Sequence, residues 1–169
     1  MKKFRTLLVA CALTLGASSF VNAQSKIAHI ASQELVESMP AFKAAKSEIE
    51  KLNKTYEAEI RNMVLELQNT VKRYTQEAET KTDEENLKRQ QEIQTNEKSI
   101  GEYRQNALQD LQKKEVELMK PIYEKARTSI QKVSRAQGFQ YVLDSTTGTG
   151  VILADGKDLM ADVKKDLGI

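Results

Sequence analysis

Apolar side chains recur at intervals of eleven residues along two long stretches, and no other feature constrains the chain so tightly. Ile49, Ile60 and Val71 are eleven apart, as are Leu52, Met63 and Tyr74, and again Tyr56, Leu67 and Ala78. The interval returns in Ile100, Leu111, Ile122 and Val133, flanked by Tyr103, Ala107, Leu108, Leu118, Met119 and Ile130. An eleven-residue repeat places about 3.67 residues in each turn, close to the natural α-helical period, so helices that pair through it need little left-handed supercoiling. Two stripes of one period predict two long helices that cover their stripes with each other.

Between the stripes lies TQEAETKTDEEN, residues 75–86, which has no large apolar side chain. Within it, Thr82-Asp83-Glu84-Glu85 matches a capping box, in which the threonine oxygen accepts from the backbone near Glu85 while the glutamate reaches back to the threonine N–H. Asp83 and Glu84 also suit the positive end of a new helix. One helix therefore ends near Thr80 and a second begins at Thr82 or Asp83. If the chain reverses there, paired positions sum to about 162, which sets Met63 against Ile100, Ile60 against Tyr103 and Leu52 against Leu111. The reading is an antiparallel helical-hairpin arm over 41–120 with its tip near 80–82, each helix roughly 60 Å long. The polar stretch is then the tip, wet on all sides. Pro40 and Pro121 fall at the same level; Pro40 suits a helix start, and Pro121 is expected to kink the returning helix. The competing arrangement is one continuous rod that pairs only with other chains, and the capping box argues against it.

Ahead of the helices, Lys2, Lys3 and Arg5 precede a largely apolar run from Thr6 to Leu15, and Val21-Asn22-Ala23 supplies small residues. This is the form of a secretory signal over 1–23, cut between Ala23 and Gln24. The apolar run falls short of the ~20 residues that span a bilayer. Leu8-Val9-Ala10-Cys11 resembles a lipobox, so acylation at Cys11 stays open as an alternative. After cleavage at Ala23 the chain holds no cysteine, and neither disulfides nor thiol chemistry is expected. Losing Lys2, Lys3 and Arg5 also turns the net charge of +2 into about −1. A nucleic-acid binder would keep a strongly basic face. Here Lys and Arg interleave with Glu and Asp, and with no Trp and two Pro the composition fits long solvated helices.

The two ends of the mature chain read differently. SKIAHI, from Ser25 to Ile30, alternates weakly and suits a short strand; Ser32 then caps a brief helix, QELVES, before Met39-Pro40 opens the arm. Gly138 closes the returning helix. FQYVLD and GVILAD are strand-like runs joined by the turn STTGT, which predicts a hairpin. Asp155 or Asp158 starts a last amphipathic helix carrying Leu159, Met160, Val163 and Leu167. Residues 24–40 and 121–169 thus form a small α+β head, marginal as a free-standing core. Ile27, Ile30, Val142, Leu143, Val151, Ile152 and Leu153 offer more aliphatic surface than such a head can cover, and its strands leave open edges. They are the expected oligomerisation residues. The fold class is mainly α with a small β part.

No constellation points to catalysis. His29, the sole histidine, has no ligand partner near it in sequence, and Glu84-Glu85 is ordinary on a helix surface. TTGTG joins two predicted strands rather than opening a helix, and it lacks the lysine of a phosphate-binding loop. Nothing gathers a nucleophile, a base and an oxyanion site, so an enzyme, a cofactor, a metal and a small-molecule substrate are not expected.

KIAHIASQELVESMPAFKAAKSEIEKL, AQGFQYVLD and the closing DLMADVKKDLG give the chain its resemblance to the Skp/OmpH periplasmic chaperones of Gram-negative bacteria. The resemblance runs the whole length; its specific parts are the two ends, while the arm is generic coiled coil. It implies a periplasmic, ATP-independent holdase, a jellyfish-like homotrimer whose heads join in a β-rich body. Three arms enclose a cavity that shields unfolded outer-membrane β-barrel proteins. The family's head segments fall on Lys26 to Ile30, Phe139 to Asp144 and Gly150 to Asp155. Met63, Val64, Leu65 and Leu67 exceed what one seam requires, and Leu108 and Val116 thicken the partner helix. Met63, Val64, Leu65, Leu108 and Val116 are accordingly the candidate client-binding residues. Some family members have strongly basic arms; this chain departs from that, which weakens any case for lipopolysaccharide. Lys81, Lys88 and Arg89 are the tip residues suited to weak contact with a membrane surface. The rival reading is a coiled-coil scaffold of the cell envelope that holds a folded partner.

Overall fold

The computed structural model describes residues 26–169, so the expected signal, its cleavage site at Ala23 and Gln24, and Cys11 lie outside the described residues. Strand β1, Ile27–Ile30, is followed by the short helix α1, Ser32–Ser38. Pro40, which has no N–H to leave unpaired, occupies the first turn of helix α2, Pro40–Glu77. A 3-10 turn over Ala78–Thr80 ends it. Helix α3 then runs over Asp83–Ala136. Its start is the capping box read from the sequence: Glu85 N–H donates to Thr82 Oγ1 at 3.2 Å, and Thr82 N–H donates to the Glu85 carboxylate at 3.0 Å. The helix continues through Pro121 as one element, with that proline on its exposed side, where a freed carbonyl can turn to water.

Contacts between the two long helices climb one as they descend the other. Glu48 pairs with Lys114 at 3.6 Å, Tyr56 donates to Asp110 at 2.6 Å, and Tyr103 donates to Glu59. Nearer the turn, Tyr74 donates to Glu92 at 2.7 Å and Arg89 meets Glu77 at 2.6 Å. Met63 and Ile100, matched by position in the sequence, line one small concavity with Leu67.

Helix α3 ends in a Schellman motif. Gly138 takes φ of +74°, its N–H reaches Arg135 O at 3.0 Å, and Phe139 N–H reaches Ser134 O at 2.9 Å. The chain then enters strand β2, Tyr141–Asp144, and later strand β3, Lys157–Asp158, before helix α4, Met160–Leu167. The sheet order is β2-β1-β3, with both pairings parallel and Ile27 opposite Tyr141. Alternation along β1 sends Ala28 and Ile30 into the core with Leu35, Val36, Met39, Ile122, Ala126, Val133, Leu159 and Val163.

Two local expectations are corrected here. FQYVLD and GVILAD form no hairpin, because residues 145–156 carry the chain across β1 to its far edge, where Lys157–Asp158 adds in parallel. Val151, Ile152 and Leu153 therefore belong to no strand. Nor does Ser32 cap α1: it is the first helical residue, and its N–H and hydroxyl both donate to the Asp144 carboxylate, at 3.1 and 2.5 Å. A carboxylate from a distant strand thus satisfies the helix start.

Candidate functional site

The long helices carry apolar side chains that their pairing does not cover. Leu65 is 50% exposed, Leu108 62% and Val116 63%. Met63 and Val64 are half-buried, and Met63 belongs to the seam between the helices, beside Leu67 and Ile100. Leu87, which sequence reasoning passed over, is exposed as well, and so is Val71, which the eleven-residue spacing had placed in the covered stripe. Leu87 sits beside the capping box, where the polar surroundings drew the reading away from it.

The tip cations are engaged. Lys88 pairs with Glu84 at 2.7 Å and Lys81 with Glu85 at 4.0 Å. Arg89, besides its contact with Glu77, stacks 4.5 Å from the Tyr74 ring centroid, a cation–π arrangement. The hydrogen bonds from Thr82 hold the Glu85 carboxyl below the usual range, so the capping box favours its charged form.

Farther along the helices, Tyr56 and Tyr103 meet edge to face with ring centroids 6.1 Å apart. Each donates its hydroxyl to a carboxylate of the opposite helix, which raises both phenols; Glu59 pushes Tyr103 up to about 12. These rungs are polar, and they cross a seam whose apolar contacts repeat every eleven residues.

In the head, alternation along the sheet leaves Ile27, Tyr141 and Leu143 exposed on the outer face. Ile152 is fully exposed and Leu153 largely so. Val142 is half-buried against the core, and Ile30 is buried inside this chain's own core, at the wall of the inner groove rather than on the outer face. Tyr141, exposed beside them, was missed because strand alternation was applied to the aliphatic residues alone.

The inner side of the sheet adjoins a groove of about 550 Å³, lined by Ile30, Val36, Ala126, Ile130, Phe139 and Val142 with Arg127 and Arg135. Asp144 stands at this end of the sheet. Burial would raise its carboxyl, but hydrogen bonds from Ser32 and Thr146 outweigh that and hold it down at about 2. Asp162 and Asp166 of α4 are also held low, the first by Gln137 and Lys157, the second by Lys132 and Ser129.

Among the described residues, no group of three or more His, Cys, Asp or Glu is placed to hold a metal ion. Among the same residues no helix is long and apolar enough to cross a membrane.

A family model described as outer membrane protein (OmpH-like) matches residues 26–167. A crystal structure of an OmpH-like protein from Caulobacter crescentus CB15 matches with a TM-score of 0.76 at 20% sequence identity, over 86% of this chain and 85% of that one. At that identity the likeness is one of fold. A comparison with curated proteins finds no match. Membership of the family supports a general chaperone role without catalysis and a periplasmic location. The family match takes in the head segments at both ends and the two long helices between them, and the chain belongs to the OmpH/Skp-like family of periplasmic chaperones.

Proposed function

We propose that the chain is an ATP-independent holdase for unfolded outer-membrane β-barrel proteins, taken up in a cavity between the arms of a homotrimer. The observation that carries the reading is the exposure of Leu65, Leu108 and Val116 on helices already paired through another stripe. A barrel protein in water presents lipid-facing side chains and unpaired strand edges, and it aggregates unless isolated. Scattered apolar contacts on the arms suit such a client: each is weak, and several together bind through multivalency while each releases quickly. Arms over 41–120, fixed at the head and free at the tip, adapt to clients of different size. The head over 24–40 and 121–169 joins the subunits through Ile27, Leu143, Val151, Ile152 and Leu153, with Tyr141 added to that surface and Val142 at its edge.

The test dilutes a urea-unfolded outer-membrane barrel protein into residues 24–169 and follows mass by light scattering. A trimer that gains one client and keeps it soluble is the expected result. Changing Leu65, Leu108 and Val116 to Ser leaves the trimer mass unchanged and weakens capture by roughly tenfold. Full capture by this triple variant overturns the assigned residues. An oligomer that leaves the client to aggregate overturns the holdase reading in favour of a scaffold for a folded partner.

A further inference from the structure

His29 stands in the middle strand of the sheet, and both of its ring nitrogens are engaged by the chain that follows β2. Nδ1 lies 3.2 Å from Ser145 Oγ, and Nε2 lies 3.2 Å from the carbonyl oxygen of Gly156. A carbonyl only accepts, so in the neutral ring Nε2 carries the proton and Nδ1 accepts from the Ser145 hydroxyl. The two contacts fall at the two ends of residues 145–156.

The near half of that loop is built from Asp144. Its carboxylate accepts from the N–H and hydroxyl of Thr146, and its carbonyl accepts from the Thr149 hydroxyl. The far half is drawn against β1 at Gly156, where a Cβ would stand 3.4 Å from the Ile27 carbonyl oxygen. Between these fastened ends the tip is bare, with Ile152 fully exposed. An apolar tip in water is expected to collapse onto its own chain. Here the ends are held and the tip stands out.

Charge adds a direction. Asp155, beside the tip, makes no ion pair among the described residues, and neither do Arg127 and Arg135, which line the apolar groove of the same head. An apolar tip followed by a free carboxylate complements an apolar groove with two free guanidinium groups. Both surfaces belong to one sequence, so the partner they fit is a second copy, meeting head to tail.

We propose that His29 is the clasp of this loop, a positioning residue that fastens both ends of residues 145–156 and so presents Ile152 and Leu153 to a second copy in one conformation. The proposal rests on the reading of the head as the subunit contact. Its physical content is preorganisation: a loop ordered before contact does not lose its freedom during association.

The test compares residues 24–169 with His29→Phe, which keeps a ring and removes both bonds, and with Ile152→Ser, which leaves the clasp intact. Three measurements are made: amide exchange across 146–156, helix content by circular dichroism, and the dilution at which the oligomer dissociates. In His29→Phe, exchange in the loop rises and association weakens, each about tenfold, with helix content unchanged. In Ile152→Ser association weakens while loop exchange stays as in the parent. Unchanged loop exchange in His29→Phe overturns the clasp. Faster exchange with association intact, while Ile152→Ser weakens it, overturns the positioning role and leaves the subunit reading standing. Association intact in both variants overturns the subunit contact at this tip. Should His29→Phe fail to fold, Ser145→Ala removes one bond from outside the strand; a few-fold rise in loop exchange supports the clasp, and none overturns it.

Discussion

Head and paired helices are held by different means. In the head, five short secondary elements and the base of the long helices bury Ile30, Leu35, Leu159 and Val163 almost completely, and the helix starts and ends there are closed by Asp144, Gly138 and Gly168. Beyond the head, few side chains of the two long helices are buried; Ile100 and Ala107 are among them. What crosses between those helices is a narrow apolar seam with polar rungs from Tyr56, Tyr74 and Tyr103. The difference shows where each region can yield. A core surrounded on all sides gives way as a unit, whereas a two-helix seam has no third layer and can bend, splay or fray in parts.

The largest break in this comparison is Leu159→Ala. Leu159 is fully buried at the start of α4 and packs in the core with Val163 and Leu35. Truncation there costs about 2–5 kcal/mol. The expected outcome is a head that melts well below the parent, seen as loss of amide protection at 27–30 and 141–144, while the helical signal of α2 and α3 persists to higher temperature. Simultaneous loss of both signals breaks the comparison, because the long helices would then depend on the head for their own stability.

The contrast also governs what was legible in the sequence. The spans of the long helices follow from a stripe repeated in every third or fourth residue, a signal reinforced many times over. Their meeting point was legible from one capping box, since Thr82 and Glu85 are local to each other. The parallel sheet was not, because its strands are four residues or fewer and Ile27 meets Tyr141 across more than a hundred intervening positions. Val151-Ile152-Leu153 reads as a strand by propensity, yet its place in the chain is decided by Gly156 packing on β1 and by His29, contacts that no short window contains. Helix α1 takes its cap from Asp144 for the same reason. At the candidate site, exposure off the seam was legible for Leu65, Leu108 and Val116, where helical spacing fixes the side. For Met63 the spacing that set it against Ile100 was the better guide, since the two line one concavity in the seam, than the crowding of apolar residues at 63–67 that also made it a client-facing candidate.

Acid and alkali separate the regions by chemistry. Asp144, Asp162 and Asp166 all have carboxyls held below the ordinary value of 3.8, Asp144 at about 2. A lowered folded value means that the stabilisation is present above the unfolded value and is lost as pH falls from 3.8 through about 2. The head should lose amide protection in that window. Tyr103 behaves in the opposite sense: raised from 10.0 to about 12, it stabilises below 10.0 and loses that contribution as pH rises through about 12. Ultraviolet titration of the phenols, with Tyr103→Phe as the control, is expected to show the last phenol ionising near 12 and disappearing in the variant. A Tyr103 that titrates near 10.0 would remove the rung to Glu59 and leave the seam with the rungs from Tyr56 and Tyr74 alone.

Thr82→Ala is the smallest of these perturbations and the sharpest probe of how independent the tip is. The substitution deletes the oxygen that accepts from Glu85 N–H, and it releases the Glu85 carboxylate from one of its two Thr82 donors. Loss of such a cap costs about 1 kcal/mol. Because Asn86 still donates to Ala78 O at 3.0 Å, and Arg89 still holds Glu77, the turn itself keeps two further ties. The expected effect is therefore local: amide exchange at 83–86 rises by about fivefold, with the head's melting midpoint and the oligomer's mass unchanged. Exchange that rises equally at 83–86 and at 100–107 would mean that the seam opens as one unit from the tip, and the narrow contact between the helices would then be as cooperative as the core of the head.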